Sequence, residues 1–510
     1  MRRWRLGACA VGITALCACA TLPQRPALVA EHALPLPEHG VLRDYGGRIE
    51  EQLAPGESAH WLLDRNELAF TARLALTDQA ATTLDVQYFI WQDDATGLLL
   101  TSRLLAAADR GVKVRLLLDD FGVATSRGEI VQLDAHPNVE VRVFNPWAAR
   151  GSRISKAVEF VVHSRRLNQR MHNKTYIADG SFAIVGGRNI GDRYFGLFST
   201  FVQDDLDVLV AGPVVRDVEQ SFDLYWNSAN TYPVTLFDER RAPIAPIATT
   251  RAELATAVGE EAALLGAFPL QRAEWHEYFD GLTGTFAAGP AELYCDSPDI
   301  QDAGRARLYT QFKALVASAQ REVLISSAYF IPDRDFRDLI RELVGRGVRV
   351  AIVTNSLATN NHVVAHTGYR RWRREVLASG AELYELRPDA AARDLYVTRP
   401  AMPAALGLHT KAVVVDGRTA FIGSPNVDTR SMVTNTEIGV VTGGEELARR
   451  LGALIERDMA PQNAWRVTLS ADGWLTWSSD VGTLRRQPAK GFRQRAVEFL
   501  LNLLPLKNQA

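Results

Sequence analysis

Two distant stretches of the chain order their apolar and polar positions in the same way. In the first, "TTLDVQYFIWQDD" (82–94) is a β-branched and aromatic run that predicts a strand. "LLLTSRLLAAADRGVKVRLLLDD" (98–120) then gives a helical spacing of apolar residues, a closing Gly111 and a second strand. In the second, "REVLISSAYFIPDRD" (321–335) precedes "FRDLIRELVGRGVRVAIVTN" (336–355), with Gly347 in the closing position. Tyr88-Phe89-Ile90 is echoed by Tyr329-Phe330-Ile331. Strand, helix, glycine and strand, met twice, read as an internal duplication of an α/β unit. Such βαβ order predicts mostly parallel strands covered by helices.

The pattern divides the chain. Residues 20–60 are rich in Pro, Ala and Glu without a clear period, which predicts a tether, with order beginning near Trp61. The two α/β halves then span 61–235 and 291–465. Residues 236–290, with several prolines and Trp275, His276 and Tyr278, connect them, and 466–510 form a C-terminal tail.

The duplication extends to the polar residues. "MHNKTYIADGSFAIVGGRNIGD" (171–192) carries His172, Lys174, Asp179, Gly186, Gly187 and Asn189. "LHTKAVVVDGRTAFIGSPNVD" (408–428) carries His409, Lys411, Asp416, Gly423, Ser424 and Asn426, each displaced by 237 residues. In a strand, residues i and i+2 share a face, so each His projects beside its Lys. The Gly-Gly or Gly-Ser turn lets the next segment approach closely and present an Asn amide to the same spot. Asp179 and Asp416 suit strand ends and turns better than substrate contact.

Each copy holds an imidazole, an ammonium and an amide, and none holds a whole reaction. Attack on a phosphodiester needs a nucleophile, a proton donor for the leaving alcohol and donors for the non-bridging oxygens. Two copies face to face supply them: one His attacks phosphorus to give a phosphohistidine, and the other acts as acid and then as base. Lys174 and Lys411 carry the cationic work, so the set needs no metal. Each ring is best aimed if a carboxylate holds its other nitrogen, and Glu437 and Asp207 are the candidates.

Composition narrows the partners. A net charge of −2 gives no global attraction to a polyanion, which disfavours nucleic acid as a partner. Seven lysines stand against fifty arginines, so the two motif lysines are conspicuous choices of a compact ammonium over a forked guanidinium. The N-terminus places Arg2, Arg3 and Arg5 before an apolar run from Leu6 to Ala18, a secretory signal too short to span comfortably. Of four cysteines, Cys9 and Cys17 leave with such a signal, and Cys295 alone remains in the body, which allows no disulfide framework.

The paired H-x-K-x4-D motifs, each followed by Gly-Gly or Gly-Ser and Asn, resemble the phospholipase D superfamily over about residues 61 to 465. "GGRNIGDRYFG" (186–196), "FVQDDLDVLVAGPVV" (201–215), "TNNHVVAHTGYRRWRREVLASGAELYEL" (359–386) and "GSPNVDTRSMVTNTE" (423–437) are similar to the bacterial cardiolipin synthases, nearest the C-type branch. The resemblance implies two tandem α/β domains packed as a pseudo-twofold pair with one active site at their interface. It implies transfer of a phosphatidyl group from one phospholipid onto phosphatidylglycerol, without cofactor or metal; the donor stays open, with phosphatidylethanolamine one candidate. It carries His172, Lys174, Asn189, His409, Lys411, Asn426 and Glu437 over as site residues, His172 as nucleophile and His409 as acid/base. The first-half carboxylate departs from the pattern: Asp207 follows Asn189 by eighteen residues, where Glu437 follows Asn426 by eleven. Leu16-Cys17-Ala18-Cys19 resembles the bacterial lipoprotein signal, implying lipid on Cys19 and attachment on the periplasmic side of the inner or outer membrane.

Three features stay open between two readings. "HTGYRRWRREVL" (366–377) sets His366, Tyr369, Arg370, Arg371, Arg373 and Arg374 on a helix, either to hold an anionic headgroup at the site entrance or as a solvated basic face. "GFRQRAVEFLLNLLPLKNQA" (491–510) spaces Phe492, Ala496, Phe499, Leu500 and Leu503 on one helical face, for a lipid interface or for the protein's own core. "DDLD" (204–207) suits a hard cation or the orientation of a histidine. The best overall expectation is a membrane-attached phosphatidyl transferase. A phospholipase D giving phosphatidic acid, a secreted nuclease and a non-catalytic lipid-binding lipoprotein are the alternatives.

Overall fold

The computed structural model describes residues 21–123, 129–149, 153–198, 200–240, 245–271, 274–299, 306–360, 362–403 and 405–502. One sheet of 18 strands runs through them. In the first half Val139–Phe144, Lys113–Asp119 and Thr83–Tyr88 are parallel neighbours; Thr175–Ala178, Phe182–Gly186, Asp207–Ala211 and Glu57–Leu63 then follow antiparallel. The second half repeats this order with Glu382–Leu386, Arg349–Asn355 and Glu322–Ser327 parallel, then Lys411–Val415, Thr419–Gly423, Ile438–Thr442 and Ala287–Cys295 antiparallel. Three parallel strands per half are fewer than the βαβ pattern predicts. The strand that begins with each motif lysine or just after it turns back through a short hairpin, at Asp179-Gly180 and Asp416-Gly417, and such turns join only antiparallel strands.

Those two aspartates set the register. Asp179 and Asp416 adopt left-handed backbone, φ 52° and 54°. Each carboxylate accepts three successive backbone N–H groups, those of Ala81, Thr82 and Thr83 and those of Gln320, Arg321 and Glu322. Thr83 therefore corresponds to Glu322, and Trp91 to Phe330. Trp91 bridges to Ile190 as Phe330 pairs with Val427. The Tyr-Phe-Ile echo read from the sequence is two residues out of this register.

Ala287–Cys295 stitches the halves: its first four residues pair with Glu57–His60 and its last five with Ile438–Thr442. Behind this seam, one buried cluster mixes Met171, Val185, Val202 and Val208 with Leu406, Leu408, Ile422 and Ile438. The halves share a core and so form one body.

Three expected boundaries shift. The tether is folded: Val41–Glu50 is a helix that buries Leu42 and Ile49, and residues before it lie extended on the first half. The connecting segment belongs to the first half, where Trp275 and Phe279 are buried, and Nε1 of Trp275 donates to Asp78. Its proline-broken pattern hid the Ile247–Glu260 helix, which packs on Ala95–Asp109. The tail starts inside a strand, Ala464–Leu469, which extends the second half's sheet.

Candidate active site

Each motif histidine is held by backbone from the other half. His172 N–H donates to Thr436 O at 2.9 Å, and His409 N–H donates to Asp204 O at 2.6 Å. Alongside, Phe201–Asp204 pairs in parallel with Ala405–Leu408. The residue after each of these acceptors is a carboxylate, and it meets the imidazole. Glu437 Oε2 lies 2.8 Å from Nδ1 of His172, and Asp205 Oδ2 lies 2.5 Å from Nδ1 of His409. Both carboxylates are fully buried, while the rings keep 13% and 11% of their surface open. An Nδ1–H donated to a carboxylate leaves Nε2 with a free lone pair facing the opening.

The sequence candidate Asp207 does not take this part. It is ion-paired with Arg73 at 2.8 Å and Arg188 at 3.4 Å, all three side chains buried, and it accepts the backbone N–H of Arg188. Strand register explains the error. Asp207 pairs with Gly186 as Gly439 pairs with Gly423, so the counterpart of Glu437 is Asp205, two residues earlier. The five extra residues between Asn189 and Asp205 concealed this match.

The turn residues fit these acids. A Cβ at Gly187 would collide with the Asp205 carboxylate, and one at Gly186 with Asp207. At the equivalent of Gly187 stands Ser424, whose hydroxyl donates to Glu437, and a Cβ at Gly423 would collide with Ile438 O. The shorter acid needs the bare glycine; the longer acid takes a serine donor.

Lys174 Nζ donates to His172 O at 2.6 Å, and Lys411 Nζ donates to His409 O. Both ammoniums are buried. Burial pulls Lys174 down to about 7 against the attraction of Glu437, and Lys411 is lowered by the same burial. Burial also lowers both imidazoles to about 4, so both rings are neutral near pH 7. Burial opposes ionisation of the two acids, but His409 and Lys411 hold Asp205 at about 2, and His172 and Lys174 keep Glu437 below its ordinary range. The resting site thus has two anions behind two neutral rings, and beside them two lysines that lack solvent, with Lys174 poised to gain or lose its proton near pH 7.

Asn189 accepts from Ile90 N–H and donates to Tyr194 OH, both at 3.1 Å, while the buried Asn426 Oδ1 has no hydrogen-bond partner among the described residues. Two aromatic residues complete the site. Phe89 meets the His172 ring edge-on at 5.2 Å, and Tyr194 meets His409 likewise at 5.4 Å.

The family model of the phospholipase D-like domain of cardiolipin synthase matches residues 74–226 and 312–459, one copy around each motif. The chain belongs to this family. Cardiolipin synthase C of Escherichia coli is 37% identical over 472 residues, which cover 89% of this chain and 96% of that protein. Cardiolipin synthase A of Pseudomonas aeruginosa is 27% identical over 402 residues, 78% of this chain and 66% of that one. The crystal structure of phosphatidylserine synthase from Haemophilus influenzae superposes with a TM-score of 0.53 at 14% identity, covering 83% of this chain and 92% of that chain, a likeness of fold.

The side chains of the basic helix are largely engaged within the second half and with the C-terminal segment. In Val363–Ala378, His366 and Tyr369 are buried; Tyr369 OH donates to Glu385, and His366 Nε2 lies 3.3 Å from Gln487. Arg370 is paired with Glu498 of the Phe492–Asn502 helix at 2.6 Å, and Arg373 with the buried Glu385. Arg371 and Arg374 are exposed. This helix is therefore a strut for the C-terminal segment, whose Phe492, Phe499 and Leu500 point outward while Glu498 is buried. Leu503 lies outside the described residues, as do Cys19 and the other residues of 1–20 read from the sequence as a signal. Sequence reasoning missed Asp205, Phe89 and Tyr194. The two aromatics lie within quoted motifs, but edge contact with an imidazole leaves no periodic signature.

Proposed function

We propose that this chain makes cardiolipin by phosphatidyl transfer through a phosphohistidine. The observation that carries the reading is the crossed pairing of Glu437 with His172 and Asp205 with His409, which arms two Nε2 atoms in one site. His172 Nε2 attacks the phosphorus of a bound phospholipid, and the bond to the headgroup oxygen breaks. His409 gives its Nε2 proton to the departing alcohol. The ring gains that proton when the phosphodiester anion enters: the added negative charge favours imidazolium, and Asp205 stays ionised behind it. Lys174 and Lys411 receive the charge of the non-bridging oxygens in a water-poor site.

In the second step His409 takes the proton from a glycerol hydroxyl of phosphatidylglycerol. That oxygen attacks phosphorus, the P–N bond breaks, and His172 is restored. Asn189 and Asn426 border the same turns and position the reacting group. The substrates are bilayer lipids; among the described residues no helix is long and apolar enough to cross a membrane. The lipoprotein-like Leu16-Cys17-Ala18-Cys19 supports attachment through Cys19, acylated after signal cleavage on the periplasmic side.

The test is to incubate the purified protein with vesicles of labelled phosphatidylglycerol, with and without phosphatidylethanolamine, and to separate the lipids. Cardiolipin as product is expected, and a rise with phosphatidylethanolamine identifies it as donor. Phosphatidic acid alone would replace the transferase by a hydrolase using water as the second nucleophile.

A further inference from the structure

The Arg153–Val162 helix is inside out. Its acid, Glu159, is buried, accepting the N–H groups of Ala148 and Ala149 and pairing with Arg166 at 2.9 Å. Its apolar residues face solvent: Ile154 is 71% exposed, Val161 77% and Val162 54%, with Ala157 exposed on the same side. A helix that anchors itself by its polar side and presents its apolar side outward marks an interaction surface. Phe160 stacks on Trp147 at the helix's inner edge, which fixes the orientation of the stripe. The exposed residues that continue it, His163 and Arg165, are basic or neutral, and Lys156 is half-buried on the helix itself. Among the described residues 154–166 the only acid is thus Glu159, in a chain whose net charge is −2. Apolar and cationic together, this face complements an anionic lipid surface.

The N-terminal segment leads back to the same end of the sheet. Arg25 Nε donates to Thr231 O at 2.7 Å, and Thr231 pairs with Phe144 at the C-terminal end of its strand. Glu31 pairs with Lys113, at the start of the neighbouring strand, at 2.5 Å. Residues 25–31 therefore run as a strap from the C-terminal strand ends toward the N-terminal ones. Met171 N–H donates to Asp119 at those same C-terminal ends, next to His172. Cys19 precedes Arg25 by six residues, a reach of at most about 20 Å. The strap thus begins, at Arg25, on the rim that holds both the catalytic histidine and the outward-facing helix, which itself follows Phe144 in sequence.

We propose that the Arg153–Val162 helix is a bilayer-docking element whose Ile154, Ala157, Val161 and Val162 seat in an anionic phospholipid surface beside the active-site opening. The proposal rests on the reading that the substrate is bilayer lipid and that Cys19 is acylated. Docking turns the opening toward the bilayer, so that a lipid headgroup reaches the histidines without leaving the interface.

The test uses the full-length protein as isolated from membranes, in a Cys295→Ala background, returned to phosphatidylglycerol vesicles. An environment-sensitive fluorophore is placed by Val161→Cys, by Val481→Cys on the hairpin after Leu475–Ser479, or by Phe499→Cys. Lipids brominated in their acyl chains are expected to quench the label at 161 and leave that at 481 untouched. A label at 161 that stays in water on vesicle-bound protein overturns the proposal, whether or not 499 is quenched. In a second arm, Val161→Asp is expected to raise KM for vesicle substrate about tenfold while leaving turnover of a monodisperse short-chain lipid unchanged. An unchanged KM on vesicles, or an equal loss on both substrates, counts against docking. Quenching reads membrane contact even if no cardiolipin is formed, so failure of the transferase reading and failure of the docking face are told apart.

Discussion

The Glu437 carboxylate stands 2.8 Å from Nδ1 of His172, although the two residues are 265 positions apart and lie in opposite halves. Asp205 stands in the same relation to His409. Each half supplies the imidazole of one pair and the acid of the other. A half on its own would hold a histidine with nothing to fix its tautomer, so the docking of the halves is a condition of catalysis as well as of stability.

Replacing Glu437 by Gln tests this exchange. The amide fills the same volume, but it removes the charge that supports an imidazolium at His172 and can present the wrong partner to Nδ1. A fall in kcat of about 10²–10³-fold is expected, with the melting temperature little changed. Ser424→Gly, which only restores the pattern of the first half, is expected to lose less than about tenfold. Initial rates of lipid transfer beside thermal melts decide it. An active Glu437→Gln enzyme would refute the crossed pairing.

Asp205 and Asp207 separate chemistry from folding within three residues. Asp205→Asn removes the acid behind His409, and turnover is expected to fall by about 10²-fold or more in a folded protein. Asp207→Asn strands Arg73 and Arg188 in the core, and uncompensated buried charge of this kind costs about 3–5 kcal/mol. Its signature is a lowered melting temperature, with activity retained in the fraction that folds. The reverse outcome would return the orienting role to Asp207.

The same pair shows how much of the site was legible. Identical residue types at a constant displacement of 237 exposed the histidines, lysines, asparagines and turn glycines, because the stretch from His to Asn, hairpin included, has the same length in both halves. The first-half carboxylate escaped because it follows a loop of different length, and only the ladder between Gly186 and Asp207 restores its register. The folded strap around Arg25 escaped for a related reason. Its order comes from contacts about 200 residues away, at Ser228 and Thr231, which no local period encodes.

The pH profile follows from burial. His172 and His409 stay neutral in the free enzyme until about pH 4, while the productive complex carries an added proton on His409, so kcat/KM is expected to rise on acidification below an ordinary imidazole's 6.5 and to turn down only near 4, where His172 is protonated as well. On the alkaline side, Lys174 loses its proton near pH 7, well under the 10.5 of a free lysine, and the rate falls as the charge opposite phosphate disappears. Stability moves the other way. Between pH 6.5 and about 4 the unfolded chain binds protons that the folded rings refuse, so folding weakens as pH falls through that window. Rates measured on a monodisperse substrate keep surface charge effects out of the profile. An alkaline limb near 10 would show that Lys174 is not desolvated in the working enzyme.

The division of labour between the histidines is open to a chemical trap. A phosphatidyl ester of p-nitrophenol has a leaving group that departs without a proton, so the first step no longer needs an acid. His409→Ala should then still transfer phosphatidyl to His172 Nε2, but it lacks the base that activates the incoming glycerol hydroxyl. The expected record is a burst of one equivalent of p-nitrophenol, slow turnover after it, and an acid-labile phosphatidyl adduct on His172. His172→Ala should show neither burst nor adduct. The carboxylates make the test sharp, because each ring keeps its own partner when the other is removed: His172 still meets Glu437, and His409 still meets Asp205. A burst from His172→Ala in place of His409→Ala would exchange the two roles. Bursts from both would make either ring a nucleophile, and with it the two halves of the site chemically equivalent.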